Sequence, residues 1–394
     1  MAARLFRRVT PVIHKLDHAI GRLHGRRRVL VELRTPVYHA VLAPVADALA
    51  NDPGVDVWFT SEYPDRIRPL VGAERFRTRA NVEWRRFHLY LNADPWAAAN
   101  LRRCAHRVTF FHGVAGKYDL DRPDGLPMDF ARYDAVAFIN GDRLQRYVDA
   151  KIVTPAQAAL VGYPKLDRLV RGEIDAKAIR RRLALDAGRP TALYAPTYSE
   201  ASSLHLAGEG IVRALAAHGF NVVVKLHDRS LDADPKYHGG VNWRARMKAL
   251  ERPGRVRYVE QADATPLLAA ADVMVTDHSS VGFEFLVLDR PLLVFDAPDL
   301  PRAARINPEK VTLLRSAATL VRSPEEVGDA AAAALAYPDR LSAERRRVAR
   351  DLFYEPGTAT DRALALVRRF LDAGRDATAA ATARDRGRIA GDTA

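Results

Sequence analysis

The 394 residues carry 48% hydrophobic side chains, enough for two domains of ordinary size and too many for extensive disorder. A lone cysteine, Cys104, excludes a disulfide framework and a thiolate zinc cluster and fits reducing, cytosolic surroundings; no run of about 18 apolar residues supplies a membrane-spanning helix. Lys and Arg number 61 against 48 Asp and Glu, and the formal charge of +13 favours nucleic acid, an anionic membrane surface or phosphate-bearing substrates as partners.

Residues 1–28 are basic, with Asp17 the single acid and no apolar signal core. Thr10-Pro11 reads as a helix start, and Val12, Ile13, Leu16, Ile20 and Leu23 share one face. Such a helix either lies on an anionic bilayer or packs on the protein itself with a solvated Arg face. A βα alternation follows. Strands are expected at Val29–Leu33, Val55–Thr60, Phe87–Leu91, Arg107–Phe111, Ala135–Asn140 and Ala158–Val161, with a helix suggested over Pro44–Ala50. A charged helical stretch around Glu173–Asp186 leads to a second series at Thr191–Tyr194, Asn221–Leu226, Val256–Val259, Val273–Thr276 and Pro291–Phe295. Val281–Leu288 resumes a helical pattern, Ser323 and Glu326 form a capping box, and Arg362–Leu371 is a last helix.

Strands alternating with helices predict an α/β fold of two Rossmann-like doubly wound domains facing a cleft. The expected division is a basic segment 1–28, a first domain 29–170, a linker 171–187, a second domain 188–350, a C-terminal helix 351–375 and a disordered tail 376–394.

Ligands in such sheets bind beyond the carboxyl ends of the strands, so the residues just after strands carry the chemistry. His112-Gly113 offers a general base beside a residue that permits close approach, or a histidine merely bonded into its loop. Lys225-Leu226-His227-Asp228-Arg229 holds three potential cations for a pyrophosphate, or is a solvated basic loop. Asp277, Ser279 and Ser280 precede a helix, where free N–H groups and the helix dipole suit phosphate; Asp277 or Ser279 as a simple cap is the alternative. Glu284, one turn after Ser280, is placed to accept from ribose hydroxyls. Neither Gly-x-Gly-x-x-Gly nor a Gly-Lys-Ser/Thr loop is present. The Asp-x-Asp pairs Asp119/Asp121 and Asp232/Asp234 sit among turn formers and read as solvated carboxylates, so a site with no metal and no cofactor is expected.

At these residues the chain resembles the CDP-glycerol glycerophosphotransferases, the teichoic acid primases and polymerases of glycosyltransferase-B fold. Tyr194-Ala195-Pro196-Thr197-Tyr198, Lys225-Leu226-His227, Thr276-Asp277-His278-Ser279-Ser280-Val281-Gly282-Phe283-Glu284 and Asp289-Arg290-Pro291-Leu292 stand in that family's order. Phe111-His112-Gly113, Gly162-Tyr163-Pro164 and Gly357-Thr358-Ala359 are similar to further elements. The resemblance implies transfer of a polyol phosphate, glycerol phosphate foremost, from a CDP-linked donor to an acceptor hydroxyl, with release of CMP. It implies that His112 is the base and that His227, Ser279 and Ser280 hold the pyrophosphate. Thr197 and Glu284 become nucleotide contacts, with Gly113, Lys225 and Asp277 also at the substrate. It further implies an acceptor-side first domain, a nucleotide-side second domain, a hydroxyl acceptor that is lipid-linked in some members, and peripheral attachment to the cytoplasmic membrane face. The chain departs from the family at Leu226 and Asp228, which flank the histidine in place of prolines, and at Tyr198, Phe111 and His278.

Three other readings share some of these features. A nucleotide-sugar glycosyltransferase or epimerase uses the same helix-bound pyrophosphate, and a silent relative scaffolds envelope synthesis. A nucleic-acid binder explains the charge but wants an interleaved basic and aromatic motif that the chain lacks, so no nucleic acid is expected.

Overall fold

The structure is a computed structural model that describes residues 17, 25–94, 104–123, 129–232 and 234–372. Of the basic segment 1–28 only Asp17 and residues 25–28 are described, Arg27 and Arg28 as the start of a strand; the expected helix face and the tail 376–394 lie outside the described residues.

Short apolar runs bounded by turn formers fold into two six-stranded sheets in which every neighbour is parallel. The first contains β1 (Arg27–Glu32), β2 (Val55–Thr60), β3 (Phe87–Asn92), β4 (Cys104–Phe110), β5 (Ala135–Phe138) and β6 (Ala158–Leu160), in the order β2-β1-β3-β4-β5-β6. The second contains β7 (Thr191–Tyr194), β8 (Asn221–Val224), β9 (Val256–Tyr258), β10 (Val273–Thr276), β11 (Leu292–Phe295) and β12 (Thr319–Val321), in the order β12-β11-β10-β7-β8-β9. All residues of β7, β8, β10 and β11 are buried, as strands covered by helices on both faces require. The architecture is the α/β, two-domain glycosyltransferase-B arrangement.

Each sheet reverses its winding once, between β1 and β3 in the first and between β7 and β10 in the second. A crevice opens at such a point because the flanking helices lie on opposite faces. The segments after β1, β3 and β4 therefore meet those after β7, β8 and β10.

After the second sheet the chain returns to the first. The helix at residues 359–372 buries Ala359, Ala363 and Val367 completely, the last two within the apolar cluster that includes Val29 and Phe138. The Asp167 carboxylate accepts the N–H groups of Gly357, Ala359 and Thr360 at 3.0, 3.2 and 2.6 Å, and Asn140 Nδ2 donates to Leu352 O at 3.1 Å.

Local expectations differ from the structure in four places. The first helix spans Pro36–Ala50 and runs through Pro44, so its start is set by Pro36 at the first turn. β12 was not expected; two half-buried residues and one buried residue give too short a pattern. The Ser280–Phe285 helix tightens into a 3-10 turn at Leu286–Leu288, so its dipole is smaller than a helix through Leu288 would carry. Glu326 accepts the N–H of Arg322, not of Ser323, and Ser323 makes no side-chain cap, so the capping box does not form. Among the described residues no helix is long and apolar enough to cross a membrane.

Candidate functional site

β4 delivers His112 to the crevice. Phe111 anchors the turn, packed 5.0 Å from the Phe138 ring and 5.3 Å from Tyr147 with the Arg143 guanidinium over its face. His112 Nδ1 lies 2.6 Å from the carbonyl oxygen of Ala93, just after β3, and its ring is 4.6 Å from Tyr38. A carbonyl only accepts, so Nδ1 carries the hydrogen and Nε2 keeps its lone pair. Burial holds the imidazole below its ordinary value against the opposing pull of Asp94, and Arg143 and Arg229 push the same way as burial. At neutral pH His112 is a neutral ring with a free basic nitrogen.

The loop after His112 lies against the second sheet. A Cβ on Gly113 would stand 3.1 Å from Ser280 Oγ, so the glycine expected for close approach is that of one half to the other. Arg143 donates to Gly113 O at 2.5 Å and pairs with Asp121 at 2.8 Å, both side chains about 2% exposed. Asp121 is thus a buried ion-pair partner and not the solvated carboxylate expected of an Asp-x-Asp pair; burial raises its pKa, but Arg143 and Lys310 outweigh that and hold it low. From the second half, Asn307 donates its N–H to Gly116 O at 2.9 Å and His278 Nε2 lies 3.1 Å from Ala115 O. Burial, with Lys117 nearby, pushes the His278 imidazole down to about 3, so it bridges as a neutral donor.

On the second half Asp277 is fully buried. Its oxygens accept Thr197 N–H at 2.9 Å, Ser203 N–H at 3.0 Å and Ser203 Oγ–H at 2.9 Å. It therefore clasps the turn after β7 to the turn after β10, and its oxygens are occupied by the protein rather than offered to a substrate. Burial raises its pKa, and Lys117 and these bonds oppose the rise. Ser279 stands at the N-cap position without a side-chain cap bond, and Ser280 follows half-exposed. The hydroxyls and N–H groups here can be offered to an anion, with less help from the short helix than expected. Lys117, on the His112 loop, donates to Thr197 Oγ1; burial pulls its ammonium down to about 8, with Asp277 opposing.

β8 delivers Lys225 and His227. Arg229 N–H donates to His227 Nδ1 at 3.1 Å, so this ring carries its hydrogen on Nε2. Burial and the charges of Lys225, Lys117 and Arg229 hold it well below its ordinary value. In the free protein His227 is a neutral donor and not the cation expected from sequence. Lys225 is 9% exposed, lowered by burial with Asp228 opposing. Glu284 also differs from expectation: its Oε2 takes Lys165 Nζ at 2.7 Å, both side chains buried, because a carboxylate withdrawn from water needs a cation.

The two histidines are thus fixed in opposite tautomers at facing strand ends. His112 presents a base and His227 a donor, with Lys117, Ser279 and Ser280 between the halves. Sequence reasoning missed Lys117, although it stands between strand and turn in a loop with Gly113 and Gly116, and missed the Arg143–Asp121 pair and Lys165. No group of three His, Cys, Asp or Glu able to hold a metal occurs among the described residues.

Comparison with known proteins gives a consistent picture. The family model for CDP-glycerol:poly(glycerophosphate) glycerophosphotransferase matches residues 151–355. The teichoic acid glycerol-phosphate transferase of Staphylococcus aureus (strain NCTC 8325 / PS 47) is 27% identical over 183 residues, 45% of this chain and 45% of that relative, so the likeness spans under half of its length. A variant of the wall teichoic acid polymerase TagF superposes with a TM-score of 0.66 at 14% identity, covering 89% of this chain and 90% of that one. The UDP-GlcNAc 2-epimerase of Neisseria meningitidis, bound to UDP-GlcNAc, gives 0.55 at 12% identity over 87% and 99%. S. aureus MnaA with UDP gives 0.57 at 14% over 88% and 97%. At these identities the structural likenesses show a shared fold, and the matched family model covers more than half of the sequence. The chain belongs to the CDP-glycerol:poly(glycerophosphate) glycerophosphotransferase family.

Proposed function

We propose that the protein transfers glycerol phosphate from CDP-glycerol to an acceptor hydroxyl in the synthesis of a cell-envelope polymer. His112 Nε2 takes the acceptor's proton as its oxygen attacks the β-phosphorus. A phosphorus–oxygen bond forms to the acceptor, and the bond to the oxygen shared with the α-phosphate breaks, its electron pair leaving on CMP. Lys117, Ser279, Ser280 and the Nε2–H of His227 hold the diphosphate, and Lys225 adds charge from β8. The arriving anion reverses the field that keeps His227 neutral, so the ring can then carry a proton toward the leaving phosphate. In this reading the first half receives the acceptor and the second the nucleotide.

The opposite tautomers of His112 and His227 carry the proposal, because a transfer between two oxygens wants one proton removed and one charge met. The family's donor is CDP-glycerol by its own description, and TagF has been solved after a CDPG soak. A lipid-linked acceptor and an anionic cytoplasmic membrane surface complete the reading, on the strength of the basic residues 1–28. Incubation with CDP-glycerol and a polyol-phosphate acceptor should release CMP. Release of UDP from a UDP-sugar, with none of CMP, would overturn it.

A further inference from the structure

Arg229 is a cation without a counter-ion in the middle of this site. No carboxylate pairs with it among the described residues. Its guanidinium donates to Tyr198 Oη at 2.6 Å and lies 4.9 Å from the ring centres of both Tyr198 and Tyr237. Tyr198 packs 4.6 Å from the His227 ring and shares a hydroxyl contact with Tyr118 of the first half. The aromatic faces hold the guanidinium plane without consuming its hydrogens. Of five donors, one is used. A half-buried charge left in this state costs stability unless something arrives to meet it.

Its position says what arrives. The backbone of Arg229 fixes the His227 tautomer, and its charge acts on both catalytic rings: burial lowers each, and Arg229 lowers each further. A phosphorus attacked with His112 as base and departing toward His227 has to lie between them. The planar fork of a guanidinium matches two oxygens of one phosphoryl group.

We propose that Arg229 is a further catalytic residue, whose guanidinium contacts the non-bridging oxygens of the phosphoryl group in transit between the CDP donor and the acceptor. This rests on the transfer reaction proposed above. The proton and electron pair move as described there; Arg229 stays protonated and meets charge that spreads over the equatorial oxygens as the old bond lengthens and the new one forms.

The test is CMP release by the full chain and by Arg229→Ala, Arg229→Lys and Tyr198→Phe at varied CDP-glycerol. Arg229→Ala should lower kcat about 100- to 1,000-fold, as loss of a transition-state donor does, while the donor KM moves less than about 3-fold. Added methylguanidine should restore part of the rate to Arg229→Ala and none to Arg229→Lys. The acidic limb of kcat/KM should move to higher pH, since one of the cations that lower His112 is gone, leaving Arg143, Asp94, His227, the Ala93 carbonyl and Tyr38 around it. Tyr198→Phe, which keeps the guanidinium, should stay within about 10-fold of the parent. If Arg229→Ala fails to fold, Arg229→Lys decides, and a kcat within about 3-fold of the parent in either folded variant overturns the proposal. A parent protein that releases no CMP overturns the transfer reaction and this inference together; an active parent with an equally active Arg229→Ala overturns this inference alone.

Discussion

The two sides of the crevice are built on different principles. On the second half, the turns after β7 and β10 hold each other: Asp277 binds Thr197 and Ser203, and no residue of the first sheet is needed. On the first half, the loop from His112 to Asp121 takes its shape partly from outside, from Asn307, Ala304 and His278 of the other half. Its internal brace is one buried pair, Arg143 with Asp121. The turns after β7 and β10 thus brace each other within the second half, whereas the loop after β4 is completed by contacts with the other half. The loop that follows His112 thereby depends on contacts between the halves.

His112→Ala tests the comparison most severely. It should cut turnover by about 10²- to 10⁴-fold, the range for a lost general base, while CDP still raises the melting temperature as in the parent. Full turnover in this variant would remove the base from the mechanism.

Arg143→Met strips the brace and leaves Asp121 buried and unpaired, which should cost about 3–5 kcal/mol in urea unfolding. The same pair gives an acid signature. The Asp121 pKa is depressed below 3.8, so its contribution is fully present above that pH and is lost as pH falls through the lower folded value. The variant should therefore lose the parent's extra stability near pH 4 and show a flatter acid limb. An unchanged urea midpoint would mean that the loop is held entirely by the other half.

Lys117→Met removes a cation that reaches from the first half to the turn after β7. Donor KM should rise about 10- to 100-fold, the worth of a charged hydrogen bond. In the parent, the free amine titrates at about 8, so kcat/KM should fall as pH rises past it, and the variant should lack that limb. A parent profile flat from pH 7 to 9.5 would place Lys117 outside the donor site.

The mildest change is Gly113→Ala, whose methyl would sit 3.1 Å from Ser280 Oγ and press the halves apart by a few tenths of an ångström. A few-fold loss in kcat/KM with normal thermal stability is the expected result, about 2- to 5-fold by the usual response to small misplacement. An increase in kcat/KM would show that the contact is slack.

The same contrast explains what was legible in the sequence. β2, β7 and β10 lie at the expected bounds because β-branched runs end at Asp, Ser, Pro or Gly, and these local signals need no partner. His112, His227 and the Ser279-Ser280 turn follow strands as expected, because strand ends are marked by local signals. What Asp277, Glu284 and His227 do was not legible. Asp277 and Glu284 are bound to Ser203 and Lys165, distant in sequence, and the His227 charge is set by burial and by cations gathered from two loops. Lys117 was missed for the same reason: its importance lies in meeting Thr197, 80 residues away.

The return of the helix at 359–372 to the first sheet gives the molecule an unusual order of assembly. Arg27 and Asp372 lie 3.9 Å apart, so the described chain begins and ends at one place on the first half. Topologically the second half is an insert carried between two stretches of the first, tethered by an outgoing and an incoming stretch of chain. A single tether would permit swivelling, but two restrict the halves to bending about the line that joins them. Two tethers thus keep the same strand ends facing one another across the crevice.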